Sequence, residues 1–103
     1  CLELAETLGL PVVVSSALES SVGLRAGDAL AAALPELPYA CGLNTAAMFT
    51  ADVTPQPLLA DGGTIAVRDV AVDENGAWRA DPDSEVWWRR RWEDLPVSVR
   101  SLG

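Results

Sequence analysis

Lysine and histidine are absent from the 103-residue chain, and all seven cationic side chains are arginines. Chemistry that needs a titrating ammonium or an imidazole must therefore draw it from elsewhere. Cysteine is nearly absent too. Cys1 and Cys41 are too few for a disulfide framework or a four-ligand structural zinc site, and they agree with a reducing compartment, which makes the cytoplasm the expected location. Positive charge is scarce: seven basic against fifteen acidic residues give a net charge of −8, which would repel a phosphate backbone and excludes nucleic acid as a partner. No apolar run approaches the roughly 20 residues that span a bilayer, and the first residues lack the basic start and apolar core of a signal peptide. No membrane association is expected, and there is no internal repeat.

Half of the residues are hydrophobic and 21% are charged, a composition that folds. A chain of this size buries only about two-thirds of its unfolded surface, a thin margin for a sequence with seven prolines and eight glycines. The separate chain is thus expected to be poorly soluble or molten. Cys1 stands where Met would open a complete protein, and Leu2, Leu4, Ala5 and Leu8 already have helical spacing, so the sequence reads as a piece cut inside a helix.

That helix ends at Gly9, suited to the left-handed position, and Pro11 cannot continue it. Pro11-Val12-Val13-Val14-Ser15-Ser16 is an unbroken β-branched run, the pattern of a strand covered on both faces in a parallel sheet. A second helix starts near Ser20 or Ser21, whose hydroxyl can cap it, and runs through Arg25 to Leu34. Pro35 to Pro38 break it, Tyr39 to Leu43 form a second buried strand, and Thr45 to Phe49 hold a short helix. The order helix, strand, helix, strand is the repeat of an α/β fold with parallel strands, and two strands cannot close a sheet. Residues 1–60 form these units and 61–103 an extension. In the extension Thr64 to Val67 and Val70 to Val72 are candidate short strands, Asp73-Glu74-Asn75-Gly76 a turn, and Glu85 to Trp92 an amphipathic helix behind Asp81-Pro82.

Four hydroxyls and a carboxylate lie between the first strand and the second helix, in Ser15-Ser16-Ala17-Leu18-Glu19-Ser20-Ser21, where ligands bind in parallel α/β folds. Local capping and backbone satisfaction by Ser15, Ser16, Ser20 and Ser21 is the simpler reading of such a junction. The run Val13 to Gly23, together with Leu37-Pro38-Tyr39-Ala40-Cys41-Gly42-Leu43-Asn44-Thr45 and the Asp52-Val53 loop, resembles the C-terminal barrel portion of the o-succinylbenzoate synthase family of the enolase superfamily.

The resemblance implies strands seven and eight of a (β/α)8 barrel plus a C-terminal helix, completed by the rest of the barrel and an N-terminal capping domain of the same chain. It implies Mg²⁺-dependent elimination of water from 2-succinyl-6-hydroxy-2,4-cyclohexadiene-1-carboxylate to give 2-succinylbenzoate. The acid/base lysines and the metal ligands of the family would lie outside these residues, so the isolated chain is expected to be inactive. Ser15, Ser16, Gly42 and Leu43 match the family's positions for the small-molecule substrate's succinyl carboxylate, where hydroxyls and helix-start amides act as donors. Glu19, Ser20 and Ser21 then serve the helix cap and barrel rim. Relatives that racemise N-acylamino acids or cycloisomerise muconate carry similar turns and remain alternatives, as does a non-enzymatic acidic interaction module.

Three other features read as structural. Cys41, on an apolar strand, is a small buried hydrophobe. Asp28, without a second carboxylate at ligand spacing, is a solvated or rim residue. Trp88 and Trp92 share a stripe that would dock against the barrel exterior, with Arg89-Arg90-Arg91 around them, and Trp78 and Trp87 nearby.

Overall fold

The computed structural model describes residues 1–76 and 79–96. Helix α1 (Leu2–Thr7) ends as expected, with Gly9 at φ +64°. Helix α2 (Ser21–Ala33) follows, then a single 3-10 turn (Thr45–Met48) and helix α3 (Pro82–Glu93). The expected strands are not formed: among the described residues there is no extended strand. Ser15 and Gly42 instead make an isolated parallel bridge, in which Gly42 N–H donates to the Val14 carbonyl (3.0 Å) and Ser16 N–H to the Gly42 carbonyl (2.9 Å). A ladder grows only when each edge has a neighbour, and here two segments face no third. The candidate strands at 64–67 and 70–72 are likewise irregular, apart from a tight Asp61–Thr64 hairpin turn over Gly62 and Gly63, both with positive φ. A barrel portion is thus an expectation that this chain alone does not display.

The segment 12–16 is also covered on one face, not two. Val12, Val14 and Ser16 are half-buried while Val13 and Ser15 are exposed. The covering element is α2, whose inner stripe is Ser21, Leu24, Asp28 and Ala31, spaced so that all four share a helical face. Leu24, Ala31, Leu43, Ala46 and Leu58 are the core, with Val14, Cys41, Ile65 and Val70 packed against it. Cys41 packs there as a small hydrophobe but is only half-buried, not buried as its sequence context suggested. Asp28 is a correction: it is not solvated but buried in this stripe.

Gly27 lets α2 approach closely. A Cβ there would stand 2.9 Å from Leu43 Cδ2, itself held in the core. Gly27→Ala in the full-length protein is expected to cost about 1 kcal/mol, because overpacking outweighs the helix-propensity gain. A denaturant midpoint at or above that of the wild type would contradict this.

The radius of gyration is 16.4 Å, against about 13 Å for a compact domain of 100 residues. Large apolar side chains such as Leu4, Leu10, Leu18 and Met48 are exposed accordingly. In α3, Asp81 caps the helix by accepting from the amides of Asp83 (3.1 Å) and Ser84 (3.0 Å), and the Ser84 hydroxyl holds its carboxyl below the usual range. Trp87 meets Trp88 edge-on at 4.7 Å between ring centroids, and Arg91 lies over Trp87 at 5.3 Å. The face expected to dock Trp88 and Trp92 is not in the described part of this chain, and both rings are more than half exposed. Trp78 lies outside the described residues.

Candidate functional site

The bridge at Ser15 and Gly42 divides the four candidate binding residues between two faces. Ser15 and Gly42 are exposed on the side away from α2; a Cβ on Gly42 would stand 2.7 Å from Ser15 Oγ. The hydroxyl of Ser15 has no protein partner among the described residues. Ser16 turns the other way. Its hydroxyl donates to the Gly42 carbonyl (3.1 Å) and lies 2.9 Å from Thr45 Oγ1. With its one proton given to a carbonyl, Ser16 has no donor left for a ligand. Leu43 is buried against α2, so only its backbone is near this face. Gly42 does not have a positive φ, so glycine matters there for its smallness beside the Ser15 hydroxyl and not for its backbone conformation.

The cap of α2 also differs from the sequence reading. Ser20 is at the N-cap position but its hydroxyl makes no cap bond. Asp52 caps instead, from 31 residues away: its carboxylate accepts from Ser21 N–H (3.2 and 3.1 Å), from Ser21 Oγ–H (2.6 Å) and from Val53 N–H (2.7 Å). The fully buried Ser21 hydroxyl in turn accepts from Leu58 N–H (2.8 Å). A carboxylate at a helix start is favoured by the helix dipole and by the free amides. The consequence for binding is that the Ser21 amide is already satisfied by the chain's own anion, so the expected helix-start contribution to an anion site is reduced. Glu19 folds back over the first turn, where its carboxylate fills the space that a side chain at Gly23 would take. The sequence around Asp52 gives no sign of this role, because a cap supplied across 31 residues leaves no local signature.

Among the described residues no three acidic, histidine or cysteine side chains gather as a metal site. The described residues do not offer a Mg²⁺ site of their own. No described helix is long and apolar enough to cross a membrane.

The chain is similar to o-succinylbenzoate synthases. Identity is 57% over 89 residues with that of Thermobifida fusca (strain YX), covering 86% of this chain and 28% of that protein. It is 45% with the Mycobacterium ulcerans (strain Agy99) protein and 47% with the Mycobacterium leprae (strain TN) protein, again over 89 residues and 84% of this chain, or 27% and 26% of those proteins. No family model matches the chain. It spans little more than a quarter of the length of these curated relatives. Over the stretch they share, the chain belongs to the o-succinylbenzoate synthase family.

Proposed function

We propose that the chain is the part of an o-succinylbenzoate synthase that receives the succinyl carboxylate of the substrate, within a cytoplasmic, Mg²⁺-dependent (β/α)8-barrel enzyme. The full reaction would remove water from 2-succinyl-6-hydroxy-2,4-cyclohexadiene-1-carboxylate, leaving 2-succinylbenzoate, with base and metal ligands supplied outside these residues. The observation that carries the reading is the exposed Ser15 hydroxyl beside Gly42, on the side of the bridge that none of the described helices covers. In a βα barrel the helices cover the outside, so the uncovered side would be the interior, where substrate lies beyond the strand ends. Ser15 then donates to the carboxylate, and Gly42 leaves room for it. Ser16 fixes the register of the two segments through Gly42 and Thr45.

The succinyl carboxylate is charged in ground and transition states alike, so its donor gives uniform binding. Ser15→Ala in the full-length protein is therefore expected to raise KM for the dehydration roughly ten- to a hundredfold, the value of one hydrogen bond to a charged group, with kcat little changed. Ser16→Ala should change KM far less. Steady-state kinetics decide it: an unchanged KM in Ser15→Ala, or a fall confined to kcat, would remove Ser15 from the substrate.

A further inference from the structure

A cleft of about 370 Å³ opens beside α2 on the side of residues 39–44 and 60–67, with Ala31, Tyr39, Cys41, Leu43 and Ile65 among its walls. Asp28 reaches it from the middle of the α2 inner stripe. Asp28 is only 5% exposed, and its Oδ2 is buried with no hydrogen-bond partner among the described residues. Burial pushes its carboxyl above the ordinary range. A carboxylate taken out of water without donors is costly, and native interiors pair such groups. Two arginines of the folded body are engaged elsewhere: Arg25 pairs with Asp69, and Arg68 donates to the carbonyls of Gln56 and Pro57. Neither answers Asp28.

An apolar-walled cleft with a single buried anion suits an alkyl stem carrying a cation. Guanidinium fits best, being weakly hydrated and able to stack on an aromatic ring such as Tyr39. The chain spans only about a quarter of its relatives' length, so most of a full-length protein would be available to supply that group. We propose that the Asp28 cleft seats a basic side chain, best an arginine, from the portion of the full-length enzyme outside these 103 residues. This rests on the reading of the chain as part of a longer enzyme.

The sign of a mutational effect tests it. An unpartnered buried carboxylate burdens the fold, so its removal should stabilise; a paired one leaves an orphaned cation when removed. In the full-length protein, Asp28→Asn and Asp28→Leu are both expected to lower the melting temperature at pH 8. An unchanged or raised melting temperature in either overturns the proposal. Should the variants fail to fold, the crystal structure of the wild-type full-length protein decides. An arginine or lysine nitrogen in hydrogen-bonding distance of Asp28 Oδ2 supports the pairing; a water, a hydroxyl or a main-chain amide there overturns it. A full-length protein with such a pair but no dehydratase activity would overturn the proposed function alone. An active enzyme whose Asp28 lacks a cation would overturn this inference alone.

Discussion

Gly42→Val in the full-length protein is expected to lower kcat/KM by more than about a hundredfold, beyond the loss of one charged hydrogen bond. The first added carbon would stand 2.7 Å from Ser15 Oγ, inside van der Waals contact. A lone methyl can be accommodated if the Ser15 hydroxyl turns away, which removes the donor but keeps the space. The two further methyls of valine have no such exit: they project where the ligand must approach or press on the bridge that joins Val14, Gly42 and Ser16. Gly42→Ala is the diagnostic companion. If alanine acts by displacing the Ser15 hydroxyl, then Ser15→Ala and Gly42→Ala are not additive, and the double variant is no worse than the poorer single one. Additive losses would mean that Gly42 acts independently of Ser15. Circular dichroism and melting temperatures separate the activity loss from unfolding.

Removing the Asp52 carboxylate is expected to have the largest effect on stability. Asp52→Ala should cost roughly 1.5–3 kcal/mol, the scale of a hydrogen bond to a charged group and above that of an ordinary helix cap. The loss exceeds an exposed cap because Ser21 is fully buried and would keep an amide and a hydroxyl without their acceptor. Asp52→Asn retains an acceptor oxygen and should recover part of the loss. Urea midpoints of the full-length variants measure it; a change in Asp52→Ala no greater than in an exposed control such as Glu36→Ala would show the cap to be dispensable.

The helices were legible in the sequence because their signals are local. Gly9 and Pro11 stop α1, Asp81-Pro82 start α3, and the apolar stripe of α2 marks its buried side. The parallel relation of the two apolar segments survives as the Ser15–Gly42 bridge, yet the strands themselves do not form, since pairing depends on neighbours that periodicity cannot supply. Ser15 and Ser16 looked equivalent in sequence. Only their alternation about the bridge separates an exposed hydroxyl from one bound to Gly42 and Thr45. Asp28 misled because a carboxylate in an Ala-rich helix is normally solvated, although its spacing from Leu24 and Ala31 places it on the buried stripe.

The way Asp52 reaches Ser21, and Ser21 reaches Leu58, also bears on the order of assembly. These contacts close sequence separations of 31 and 37 residues. Closing such loops costs entropy before any contact rewards it, and non-local contacts of this kind form slowly. The first turn of α2 therefore has no final cap while a ribosome is still adding residues 53 to 58. The segment carrying Ser15 is synthesised before the residues that fix it, which leaves its apolar flank open in the interval to whatever holds unfolded chains.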